Sequence, residues 1–135
     1  MKQISKTCSI FLFFLGCLFE NGTAQKLVVN FEISNYQNDT LIVGNYFGEK
    51  QIVKDTLFAK GKGKFEWAPV DRPEQGMYLV LLKPENTFVQ FLVNDTETKF
   101  SLDFDAKDLL SVKFKGSNEN KMFYEYLAFL KDKRV

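Results

Sequence analysis

The chain has 135 residues, 18 of them basic and 17 acidic, with two Cys and no His. A net charge of +1 provides no basic face to neutralise phosphates, which excludes a nucleic-acid binder of the usual electrostatic kind. Both cysteines lie within the first 17 residues, so thiol nucleophiles, disulfides, imidazole bases and the commonest transition-metal ligands are excluded for the rest of the chain.

Residues 1–24 read as a signal peptide. Lys2 and Lys6 form a positive start, 8–19 (CSIFLFFLGCLF) is an apolar run, and Gly22-Thr23-Ala24 supplies the small residues of a cleavage site before Gln25. The run is shorter than the ~20 apolar residues of a bilayer-spanning helix, so no transmembrane anchor is expected. Leu15-Gly16-Cys17 also resembles the end of a bacterial lipobox, although Phe14 replaces the usual Leu and no Ser- or Gly-rich tether follows. Cleavage there would leave an acylated Cys17 as an anchor. Either route predicts export to the periplasm or cell envelope. Residues 25–135 then hold as many basic as acidic residues and most of the 15 Phe, with Trp67 and five Tyr. Such aromatic weight can build one core without disulfides.

In chain order, 27–33 (LVVNFEI) begins apolar and then alternates, with Phe31 and Ile33 inward and Asn30 and Glu32 outward. Asn35 to Asp39 is a turn cluster. A β-prone run then restarts at Leu41 and ends at Tyr46-Phe47, where Gly48-Glu49 reverses it into 51–58. Gly61-Lys62-Gly63 predicts a hairpin, because glycine accepts the positive φ of tight turns. Phe65 and Trp67 follow on one face, Lys64 and Glu66 on the other.

Pro69, Pro73 and Gly76 bracket an irregular loop, and 77–82 (MYLVLL) is apolar at every position. That pattern predicts a central strand covered on both sides. Pro84-Glu85-Asn86 turns the chain into 88–93, and Asn94-Asp95 turns it into 100–105, where Phe100, Leu102 and Phe104 alternate with Ser101, Asp103 and Asp105. A last short strand covers 112–115. The fold class expected is mainly β: an antiparallel sandwich or partly open barrel of seven to eight strands over 25–116.

After Gly116 the period changes to that of a helix. Ser117 is placed to cap it, Glu119 lies in the first turn, and Lys131, Lys133 and Arg134 lie near its end. Phe123, Tyr126, Leu127 and Leu130 form the expected apolar stripe, widened by Met122 and Phe129. The helix stops without a capping glycine, so 117–135 reads as the start of an arm that is cut short.

No constellation rises to a catalytic or metal site. Asp103 to Asp108 is rich in carboxylates but lacks the glycine and distal Glu of a calcium loop, and Lys107 interrupts it. Asn38-Asp39-Thr40 and Asn94-Asp95-Thr96 match the N-glycosylation sequon, yet Asn-Asp-Thr is also ordinary turn chemistry. No G-x-S-x-G, S-x-x-K or glycine-rich phosphate loop is present. No cofactor is expected.

The ordered string of Asp55-Thr56, Gly63-Lys64-Phe65, Gly76-Met77-Tyr78, 91–94 (FLVN), 100–102 (FSL) and Gly116-Ser117, Asn120, Phe123, Tyr126 resembles the N-terminal β-domain of Bacteroidetes-type thiol-disulfide oxidoreductases. The resemblance extends from Leu27 to about Leu130. It implies a signal peptide, an all-β module of unknown function, a helical arm, and then a thioredoxin-like domain of the redoxin type. The family's Cys-x-x-Cys belongs to that last domain, which this sequence lacks, so no redox residue is carried over.

Two functions stay open. One is a non-catalytic accessory domain that positions, dimerises or recruits for an exported oxidoreductase, its 117–135 helix meeting the thioredoxin-like domain or a second copy. The other is a stand-alone envelope module that binds a peptide or glycan.

Overall fold

Strands form where β-branched and aromatic residues alternate with polar ones, and they stop where Gly, Asn, Asp and Pro supply turns. The computed structural model describes residues 25–133. The expected signal peptide, its cleavage site and the alternative lipidation at Cys17 lie outside the described residues. Eight strands are present: β1 (Val28–Ser34), β2 (Thr40–Phe47), β3 (Lys50–Phe58), β4 (Lys64–Trp67), β5 (Gly76–Leu82), β6 (Thr87–Val93), β7 (Lys99–Asp105) and β8 (Asp108–Lys115). One helix follows, α1 (Asn118–Lys133). The fold is mainly β, two four-stranded sheets with a C-terminal helix. No described helix is long and apolar enough to cross a membrane.

The sheets have orders β4-β1-β7-β8 and β3-β2-β5-β6. Their inner faces meet on aromatic side chains. Phe91 of β6 is completely buried and its ring lies 5.7–6.1 Å from those of Phe31, Trp67, Tyr78 and Phe100, drawn from four other strands. Tilted and edge-on contacts of this kind add to the area each ring buries. The inward residues expected of β1 and β7 are all buried, as are Phe65 and Trp67 of β4.

Three expectations need correction. The sheets are not wholly antiparallel, because β1 and β7 run parallel, with Phe31 beside Leu102 and Ile33 beside Phe104. Alternation fixes which face a residue takes and leaves strand direction open. Strands this far apart in the chain are free of the hairpin geometry that forces antiparallel pairing.

The turn at Gly61-Lys62-Gly63 is tight, with Lys64 N–H donating to the Gly61 carbonyl at 3.1 Å. The strands it joins do not form a hairpin, since β3 and β4 belong to different sheets. It is a corner that carries the chain across the sandwich. Lastly, β5 is central, between β2 and β6, but it is fully covered only on its inner side. Tyr78, Val80 and Leu82 are buried there, whereas Met77 and Leu81 on the outer side are half-buried beside the buried Leu79.

The corner depends on Gly63. Its φ is 70°, and a Cβ there would collide with the Ile33 carbonyl oxygen, because β1 runs close enough for Ile33 N–H to donate to the Gly63 carbonyl at 2.7 Å. Gly48 has a similar φ of 62° but open space around it. Gly48→Ala should therefore cost about 1 kcal/mol of backbone strain, and Gly63→Ala at least twice that in urea denaturation. Equal losses at the two positions would show that the approach of β1 is not what demands glycine.

Candidate functional site

An edge strand presents backbone N–H and C=O groups that its sheet does not use, and these must find partners or water. Strand β6 is such an edge, paired with β5 on one side. Its free side is met by α1. Asn120, fully buried, accepts from Leu92 N–H through Oδ1 at 2.7 Å and donates from Nδ2 to the Leu92 carbonyl at 2.9 Å. One turn further on, the Tyr124 hydroxyl donates to the Gln90 carbonyl at 2.6 Å. Positions i and i+4 of the helix thus match positions two apart on the strand. The Tyr124 ring also lies 5.0 Å from Phe114 of β8, so α1 bridges the edges of both sheets.

The start of α1 is fixed by a second set of bonds. Ser117 is its cap, as expected: the hydroxyl oxygen accepts from Asn120 N–H at 3.3 Å and from Asn120 Nδ2 at 2.9 Å, and donates to Glu97 Oε1 at 2.9 Å. Asn94 donates to Glu97 at 2.7 Å and to Glu119 at 2.8 Å, while its Oδ1 accepts from Thr96 and Glu97 N–H. Both sequon asparagines are engaged as turn formers, Asn38 likewise accepting from Thr40 N–H at 2.9 Å. Arg72 ties the loop before β5 into the same turn, donating to the Asn94 and Glu97 carbonyls at 2.7 Å each and to the Gln25 carbonyl at 2.9 Å. Gly116 leads into the helix with φ 84°, and its Cα passes so near the Lys99 carbonyl that a Cβ would lie 2.9 Å from it.

Of the residues singled out in the sequence, Gly116, Ser117 and Asn120 therefore meet at this joint, with Phe123 half-buried one turn on. Tyr126 does not join them. It is 56 % exposed, as are Phe129 (56 %) and Met122 (68 %). These three form an outward stripe at i, i+4 and i+7. The inward row is Asn120, Tyr124 and Leu127. Tyr124 was missed because Tyr126 fits the Phe123/Leu130 spacing equally well; its own i+4 relation to Asn120 was the available signal.

A separate pocket of about 540 Å³ opens beside the 68–75 loop. Asp55 and Tyr78 line it, with Asn45 and Trp67, and Gly76 ends the loop. The Tyr78 hydroxyl donates to the Glu74 carbonyl at 2.7 Å. Burial first, and the Glu74 charge second, push its pKa up. Thr56 is exposed on β3, Gly63 lies in the β3–β4 corner, and Phe65 is buried in β4. Among the described residues no group of three or more Asp and Glu could hold a metal ion. The carboxylate-rich 103–108 stretch is the end of β7, a turn at 106–107 and the first residue of β8. Asp105 accepts from Asn35 Nδ2 at 3.0 Å and from Lys107 N–H at 2.8 Å, and these bonds lower its pKa, the Asn35 bond most.

Two outcomes follow from the joint. Asn120→Ala strands the Leu92 N–H and C=O, at a cost of about 1–3 kcal/mol, and native-state hydrogen exchange should show the Leu92 amide opening at least tenfold faster. Exchange as slow as in the parent would mean that the helix does not protect that edge. Burial pushes the pKa of the Tyr124 hydroxyl up from 10.0 to about 12. The folded protein therefore keeps a proton that the unfolded chain loses. That contribution is full below pH 10 and lost as pH rises towards 12, and Tyr124→Phe should flatten the alkaline limb of a pH–stability profile. Comparison with protein-family models, with curated proteins and with solved structures found no match to this chain.

Proposed function

We propose that the chain is the non-catalytic N-terminal accessory domain of an exported thiol-disulfide oxidoreductase, and that it positions an adjoining thioredoxin-like domain through α1. The observation that carries this reading is the two-sided character of that helix. Asn120 and Tyr124 fasten one side to the backbone of β6, while Met122, Tyr126 and Phe129 line the other side in water. A helix held in one orientation with an apolar stripe facing outward is suited to carry a second body at a defined angle. The residues quoted for the family resemblance at Asn94, Ser117 and Asn120 come from separate parts of the chain and share one hydrogen-bond network, which further supports it. A stand-alone envelope module for a peptide or glycan is the second reading, favoured by the pocket beside the 68–75 loop.

The reading is tested in two steps. The reading frame beyond the Val135 codon, or an adjacent gene, should encode a Cys-x-x-Cys thioredoxin-like domain. The intact oxidoreductase should then reduce insulin, and residues 25–135 alone should not. In that intact protein Met122→Glu with Phe129→Glu should weaken protection of the interdomain surface while the melting of the β-domain stays within about 1 kcal/mol of the parent, since both side chains are solvent-facing. Absence of any such domain, or insulin turnover by residues 25–135, overturns the accessory reading.

A further inference from the structure

Trp67 is the chain's one tryptophan and is 2 % exposed. Its Nε1–H has no hydrogen-bond partner among the described residues, and neither does Oδ1 of Asn45. Both residues line the 540 Å³ pocket beside the 68–75 loop. Buried donors and acceptors in native proteins are almost always satisfied, and leaving one unmade is costly. One orphaned donor and one orphaned acceptor around a single cavity form a pair addressed to a guest.

We propose that this pocket binds a small, neutral, hydroxylated ligand of monosaccharide size, its hydroxyl groups accepting from Trp67 Nε1–H and donating to Asn45 Oδ1. The volume falls in the range of small-molecule sites. Neutrality follows from the rim. An anion would meet the carboxylates of Asp55, Asp71 and Glu74 against the two cations Lys54 and Arg72, and the Arg72 N–H groups are already donated to three carbonyls. A cation would meet the positive end of the indole N–H. A hydroxyl is favoured over an amide because both orphaned atoms are closed to solvent, and a hydroxyl donates or accepts through one small group. Pro69, Pro73 and the Tyr78 ring offer apolar walls to the C–H faces of a sugar. Reaching these two atoms requires segment 69–71, with Val70 84 % exposed, to move aside while Arg72 anchors the rest of the loop. The proposal stands whether the chain is an accessory domain or an independent module.

The indole N–H of Trp67 gives a single, separate proton resonance, which reports on this site and not on α1. Glucose, galactose and mannose are titrated into the protein, with acetamide and a dipeptide as amide probes. At least one sugar should give a saturable shift of that resonance at millimolar concentration and slow its exchange with water. Asn45→Ala should weaken binding about tenfold, the equivalent of one hydrogen bond. Should that variant not fold, slowed indole exchange in the parent with sugar decides alone. No saturable shift with any sugar, a response to the amide probes only, or undiminished affinity in folded Asn45→Ala would overturn the proposal, the first leaving bound water as the partner of both atoms.

Discussion

The unpaired edge of β6 is the constraint around which the molecule is arranged. An antiparallel strand with one neighbour turns every second residue's N–H and C=O away from its sheet. Gln90 and Leu92 are those residues here, and their carbonyls, with the Leu92 N–H, are bonded by side chains of a helix. The asparagine carboxamide is the side chain suited to this task, since it offers a donor and an acceptor in one plane at the spacing of a peptide unit. A fully buried Asn would be a liability elsewhere; at this edge its polar atoms are all engaged. The edge is also closed to strand addition, a hazard that exposed edges carry.

The same strand holds the sheets together. Phe91, between Gln90 and Leu92, points the opposite way and contacts rings from β1, β4, β5 and β7. Strand β6 thus joins the two packing problems of a small β-sandwich. It centres a core that has no disulfide among residues 25–135, and it seats the helix that covers one seam. The opposite edge of that sheet is treated differently. Along β3 only Leu57 is buried, and its register with β2 shifts at Val43/Gly44, where Asp55 and then Val53 take the partners and Lys54 is left over. A bulge and a lysine are the usual means of blunting an edge that nothing covers.

Much of this was legible because local chemistry dictated it. The two-residue period of β1 and β7, the Ser117 cap and the glycine at the β3–β4 corner follow from side-chain facing, capping and φ, and each is a property of a few neighbouring residues. What was not legible depends on pairs distant in the chain. The parallel pairing of β1 with β7 leaves no mark on either strand. Arg72 sits in a loop read as irregular, and its role comes from carbonyls at 94 and 97. Within the helix stripe Tyr126 was placed on the wrong side and Tyr124 left out, because α1 is apolar on two sides and periodicity alone does not say which side meets the sheets. Asn120 reveals the inner side only once Leu92 is known to lie at an edge.

Pocket and helix are not independent features. Arg72 holds the loop that walls the pocket, and it does so on the carbonyls of Asn94 and Glu97, the residues whose side chains reach Ser117 and Glu119 at the start of α1. The 94–97 turn is therefore a shared support. Strain from a shift of the loop would be delivered to the carbonyls of that turn, while the helix is fastened to its side chains. Because Asn94 Oδ1 also accepts from Glu97 N–H within the turn, backbone and side chains there cannot move separately without breaking a bond. A loop seated by one arginine and the first turn of a helix, held through Ser117 and Glu119, thus rest on the same four residues, so that a displacement of either is felt by the other.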